Sequence, residues 1–250
     1  MSRLSEFLFE AAALKRTPRT GYQFLGRGRE NVAEHSFGAT SVAYVLGRMS
    51  GQADMERLLL LTLFHDLPEA RTGDLNYVNK RYVVAREEAA LAAAAKGLPF
   101  ADELVALQEE WLAGDSLEAG LAADADQLDM ILELKRLHAH GWRAAGDWLT
   151  FARKRLKTAE GRILLEQILD SDPDDWWFEK KEELWVNPKK PFDETRQGRT
   201  KKVAGQAQRP ETTSAKKSKT ENKPNQAPPR ERKINENPRP KTEATRSRIV

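Results

Sequence analysis

Through most of the first 188 residues, apolar side chains recur every three or four positions, the spacing of a single buried helical face. Leu4, Phe7, Leu8, Ala11 and Leu14 share one side of a first helix, with Ser2 placed to cap it. Asn31 followed by Glu34 has the form of a capping box. Behind it Val42, Val45, Leu46 and Met49 repeat at helical spacing, and Gly51 supplies a stop. Asp54 can cap the next helix, which carries the apolar run LLLLTLF at 58–64. Pro68 has no amide hydrogen and disfavours helix at the residue before it, so this helix should end or kink near Leu67. Further helical patterns run from Asn79 to Ala95, Ala101 to Leu112, Leu117 to His140 and Trp148 to Leu169. Strand-like alternation is scarce and no repeat period is visible. The pattern predicts an all-α globule.

The periodicity stops near Asn187-Pro188. From Lys189 to Val250 the chain has 18 Lys and Arg against 7 Asp and Glu, a net of +11, and seven of the twelve prolines. The first 188 residues carry the compensating −8. A stretch such as AKKSKTENKPNQAPPRERK buries too little apolar surface to offset chain entropy. The expected organisation is therefore a helical domain at 1–188 and a disordered basic tail at 189–250. Such a tail can neutralise phosphates, which makes a weak nucleic-acid contact one reading. It lacks interleaved aromatics for base stacking, so a solvated linker or solubility tail is the other. Trp176, Trp177 and Trp185 are expected to pack as a clasp at the domain's end. The chain has no cysteine, which excludes disulfides and thiolate ligands. The N-terminal stretch lacks a long apolar core and no run reaches the roughly 20 apolar residues of a membrane span. A soluble, cytoplasmic protein without membrane contact is expected.

Chemistry gathers in FHDLPEARTGD, residues 64–74. A buried run ends here in His65, Asp66, Glu69 and Asp74. Buried charge is costly unless it is paired or holds a metal. His65 and Asp66 are adjacent, so both can approach one ion at the helix end. Carboxylates with imidazole and no thiolate suit a divalent ion such as Co, Mn, Mg, Fe or Zn. More ligands are needed than this pair supplies. His35, in AEHSF, offers one from an earlier helix. Asp124, Asp126 and Asp129, in LAADADQLDMILELK, offer others from a later one. Asp124 and Asp126 lie about 200° apart on a helix, so both cannot bind the same ion.

The order ENVAEHSF, FHDLPEARTGD, ADADQLDMI resembles the HD-domain metal-dependent phosphohydrolases, and within them the 5'-deoxynucleotidase group. The resemblance covers about residues 5–170 and implies the HD-domain helical globule. It implies that His35, His65, Asp66 and one late aspartate hold a single divalent metal. The family's A-D-x-L string fits Ala125-Asp126-Gln127-Leu128, which selects Asp126, with Asp129 as a rival. It also implies catalytic roles for Glu69 and Asp74, and substrate contacts for Arg19 and Tyr22 in PRTGYQF. Those two are separated by two residues, where the family has an adjacent Arg-Trp pair. A homodimer is implied as well.

The ligand set leads to hydrolysis of a phosphoryl group. Arg19 suits a phosphate dianion. Glu69 is the candidate for proton handling, and Asp74 for orienting water or a sugar hydroxyl. The expected substrates are (deoxy)nucleoside 5'-monophosphates. The alternatives are another nucleotide (a triphosphate, a cyclic nucleotide or an alarmone), or a nucleic-acid-binding module that works through the basic tail.

Overall fold

A computed structural model describes residues 2–178 and Val186, all within the unit Met1–Lys190. The basic tail expected at 189–250 lies outside the described residues, as does Trp185. The described residues are helical, without a strand. Ten α-helices follow in order: α1 Arg3–Ala13, α2 Tyr22–Leu25, α3 Val32–Ser50, α4 Met55–Phe64, α5 Glu69–Thr72, α6 Glu87–Ala95, α7 Ala101–Ala113, α8 Leu117–Ala139, α9 Arg143–Ala152 and α10 Ala159–Asp170. No helix among the described residues is long and apolar enough to cross a membrane.

The core is the triangle of α3, α4 and α8, each packed on the other two. Its fully buried side chains sit at helical spacing: Val32, Ala39, Ala43 and Leu46 on α3, Leu58 and Leu61 on α4, and Leu121, Leu128 and Ile131 on α8. Each large one contributes about 1.5–3 kcal/mol by leaving water. The same buried faces carry His35 on α3, His65 just past α4 and Asp124 and Asp129 on α8. Polar groups are thus driven inward by the helices that make the core.

Local chemistry sets the helix ends. Asn31 and Glu34 form the reciprocal capping box at the start of α3, and Gly51 closes that helix with φ 66°. Asp54 caps α4 by accepting from the Arg57 amide. Ahead of Pro68, α4 stops at Phe64, and the chain turns through His65 and Asp66 into the single turn α5.

Three expectations need correction. Residues 79–95 do not form one helix: a 3-10 turn spans Asn79–Arg81, and α6 begins only at Glu87. The β-branched pair Val83-Val84 falls in the break, where it disfavours helix. Residues 148–169 also split, because Thr158 caps α10 through the Gly161 amide and ends the helical run before it. Trp176 is 86% exposed and packs little, and Trp177 instead donates from Nε1 to Asp174 (3.1 Å).

Candidate metal and phosphate site

Four side chains from three parts of the chain converge where α3, α4 and α8 meet. His35 Nε2 lies 3.0 Å from Asp126 Oδ1 and 3.6 Å from Asp66 Oδ2, and His65 Nε2 lies 3.2 Å from Asp66 Oδ2. His35, His65 and Asp126 each bring a ligand atom within 4.8 Å of the others. Nε2 of both histidines and Oδ2 of Asp66 are buried without a hydrogen-bond partner. Ligands bound at about 2.1 Å to one ion stand about 3.0–3.4 Å apart. The donor set and its spacing therefore fit a divalent cation.

The rings are aimed from behind. His35 Nδ1 meets Asp129 Oδ2 at 2.8 Å, and His65 Nδ1 meets the Thr62 carbonyl at 2.7 Å. A carbonyl only accepts, so His65 carries its proton on Nδ1. The same placement on His35 leaves both Nε2 lone pairs facing the cluster, the arrangement metal-binding histidines need. Gly38 makes room for this, since a Cβ there would stand 2.0 Å from Asp129 Oδ1. Trp111 covers the other side of the His65 ring, 4.7 Å between centroids.

Asp124 does something else. Its fully buried carboxylate accepts from the amides of Lys157 (2.7 Å) and Thr158 (2.8 Å) and from the Thr158 hydroxyl (2.6 Å). It ties α8 to the start of α10.

Arg19 reaches the cluster from the loop between α1 and α2. Its Nη1 is 3.5 Å from Asp66 Oδ2 and 3.3 Å from Asp74 Oδ1. The loop is pinned to the entry of α3: the Arg19 amide donates to the Glu30 carbonyl and the Val32 amide to that of Thr17, both at 2.9 Å. Asp74 is fastened to Thr20, which donates to Oδ2 from its amide (2.5 Å) and hydroxyl (2.8 Å). Glu69 is buried, with Oε2 unpartnered. Tyr22 opens α2, half-buried, with its amide donating to the Arg19 carbonyl (3.4 Å).

Electrostatics follow from this crowding. Burial alone would lower the His35 pKa, but the Asp126 and Asp129 carboxylates push it up to about 10. His65 is raised as well, Asp66 outweighing burial. Asp66 and Asp126 are held low, against burial, by the two histidines and Arg19. Burial, with the charges of Asp66 and Asp74, pushes Glu69 up to about 9. Glu30 rises to about 7 through burial and Asp129.

All eight sequence-selected residues are described. His35, His65, Asp66 and Asp126 meet around one point, with Arg19 and Asp74 joined on its rim; Tyr22 stands to the side, its pKa raised by burial and by the charges of Glu30, Glu133 and Asp129. Sequence reasoning missed Thr20 and Asn76, which anchor the rim, and Gly38. The signal for Gly38 was a glycine inside a strongly capped helix, three residues after His35.

The HD domain family matches residues 11–167. The zebrafish (Danio rerio) 5'-deoxynucleotidase HDDC2 is 30% identical over 139 residues, covering 53% of this chain and 68% of that protein. A 5'-deoxynucleotidase of Klebsiella pneumoniae strain 342 is 43% identical over 51 residues, 18% of this chain and 26% of its own length. Among solved structures, the PH0347 protein of Pyrococcus horikoshii superposes with a TM-score of 0.55 at 30% identity, covering 66% of this chain and 95% of that one. The chain belongs to the HD-domain family, and its class is that of the metal-dependent phosphohydrolases.

Proposed function

We propose that the protein releases phosphate from (deoxy)nucleoside 5'-monophosphates, through a domain at residues 1–188. The observation that carries this reading is the 3.5 Å approach of the Arg19 guanidinium to Asp66, inside the cluster that suits a cation. A phosphate needs a cation and a fork of donors on neighbouring oxygens, and here both face one point. The likeness to the zebrafish 5'-deoxynucleotidase supports the choice of substrate.

His35, His65, Asp66 and Asp126 are assigned as ligands of a single divalent ion. When bound, the ion supplies Lewis acidity, lowering the pKa of water and polarising the phosphoryl group. Arg19 holds the phosphate dianion. Glu69, pushed up to about 9, keeps its proton near neutral pH and can pass it to the leaving alkoxide. Asp74 holds Arg19 at Nη1, the nitrogen that also approaches Asp66. Tyr22 is assigned to the sugar, three residues beyond the phosphate-binding arginine. The products are a nucleoside and inorganic phosphate.

Metal-stripped protein is incubated with deoxy- and ribonucleoside monophosphates, triphosphates, cyclic nucleotides and guanosine polyphosphates, with Co, Mn or Mg added separately. Phosphate release from monophosphates, restored by metal and absent in Asp66→Ala, is the expected result. Turnover of another nucleotide class, followed by chromatography of the nucleotide because its hydrolysis need not free inorganic phosphate, with no release from monophosphates would replace the monophosphate reading. Full activity of Asp66→Ala would overturn the site.

A further inference from the structure

We propose that Thr20 is a positioning residue for phosphate binding, the node through which Asp74 and Arg19 are held in register with the cation site. The proposal rests on the reading of Arg19 as the phosphate-binding group. A threonine hydroxyl has one proton to give and two lone pairs. Here all three are used. The proton goes to Asp74 Oδ2 at 2.8 Å, and the lone pairs accept from the Asn76 amide at 3.0 Å and Asn76 Nδ2 at 3.1 Å. The Thr20 amide adds a second bond to the same Asp74 oxygen, at 2.5 Å. With Oδ2 so engaged, Asp74 turns Oδ1 to Arg19 Nη1 at 3.3 Å. That nitrogen is also the one nearest Asp66.

The consequence is a chain of fixed groups: buried Asn76, Thr20, Asp74, Arg19. Asn76 is itself locked, its Oδ1 accepting from the amides of Val78 and Asn79, both at 3.0 Å. Arg19 has a flexible stem, and its backbone bond to Glu30 fixes only the Cα end. The guanidinium is placed by its carboxylate partners. Asp66 belongs to the cation cluster and Glu30 Oε2 stands 3.9 Å off at Nε, so Asp74, held by Thr20, is the nearest carboxylate and sets the fork's angle at Nη1. An arginine misplaced by about 1 Å loses on the order of 100-fold in rate.

Two variants separate positioning from folding. Thr20→Val keeps the shape and removes the hydroxyl; Thr20→Ser keeps the hydroxyl. Each full-length protein is loaded with Mn and titrated with inorganic phosphate by calorimetry, and its kcat and KM on a deoxynucleoside monophosphate are measured. Mn affinity is read separately. The expected result is phosphate affinity weakened about 10- to 100-fold in Thr20→Val, with KM raised to match, Mn affinity unchanged and Thr20→Ser close to wild type. Wild-type phosphate affinity in Thr20→Val would overturn the proposal. So would a parallel loss of Mn affinity, a Thr20→Ser variant no better than Thr20→Val, or wild-type protein that binds no phosphate. If phosphate binding responds as expected while no monophosphate is hydrolysed, the nucleotidase reading fails and the positioning role stands.

Discussion

His35 is gripped on both nitrogens, and the two carboxylates that grip it, Asp126 and Asp129, come from one helix. Residues three apart on a helix lie about 60° from one another, so one ring can reach both. Asp126 faces Nε2 and Asp129 faces Nδ1. Asp129 then acts on a cation through the ring, by fixing its orientation and raising its basicity. Asp129→Ala should weaken Mn binding about 10- to 100-fold in calorimetry, while the circular-dichroism spectrum stays helical. Gly38→Ala tests the same contact from the other side. Alanine favours helix by about 1 kcal/mol over glycine, yet its Cβ would collide with the Asp129 carboxylate. Weaker Mn binding without loss of helix is expected; unchanged affinity would show that Asp129 does not orient the ring. Asp129 was legible in the sequence as a rival ligand because it shares a face with Asp126. Its place behind the ring was not legible, since helical spacing gives a direction but not which nitrogen is met.

Helix α8 also shows how one element serves two ends. About 140–160° round from the His35 face, Asp124 takes three donors from the start of α10 and leaves the cation cluster to its neighbours. Its carboxylate is fully buried, and Gly161 lets α10 come close, since a Cβ there would stand 2.2 Å from Asp124 Oδ2. Asp124→Ala leaves two amides and a hydroxyl without their acceptor and should cost about 2–4 kcal/mol. For a domain of this size that is a fall in Tm of about 4–16 °C, read by thermal unfolding, with Mn affinity unchanged. A loss of Mn affinity with no loss of Tm would place Asp124 in the cation site instead. The spacing of Ala152, Leu156 and Ala159 suggests one helix through 148–169, but Thr158 caps α10 and its tie to Asp124, more than thirty positions earlier, fixes that break in the tertiary structure. By contrast the ends of α3 and α4 were legible, because Asn31, Glu34, Asp54 and Pro68 act on their own neighbours. The pairing of 17–19 with 30–32 lies between these cases. No local signal marks it, yet it sets Arg19 beside the helix that carries His35.

The cation cluster joins α3, α8 and the end of α4, so whatever occupies it crosslinks the three helices of the core. A proton and a cation compete for that place. Folding raises the His35 pKa from its ordinary 6.5 to about 10, because Asp126 and Asp129 favour the imidazolium. A proton held more tightly when folded stabilises the fold fully below pH 6.5, and this contribution is lost as pH rises through 10. A cation needs the Nε2 lone pair, so its binding must expel that proton, and its affinity must rise with pH over the same interval. Protein stripped of metal should therefore lose stability from this group between pH 6.5 and 8.5, while the gain on adding Mn grows. A cation at about 100 times its dissociation constant adds about 2.7 kcal/mol, or about 5–11 °C in Tm for this size of domain. Tm would be measured in chelator and in excess Mn at pH 6.5, 7.5 and 8.5, with His35→Gln as control. A Mn-dependent gain that widens with pH, and is abolished in the control, is expected. A gain that is flat with pH would mean that no imidazole proton is displaced, and would move the cation to carboxylates alone.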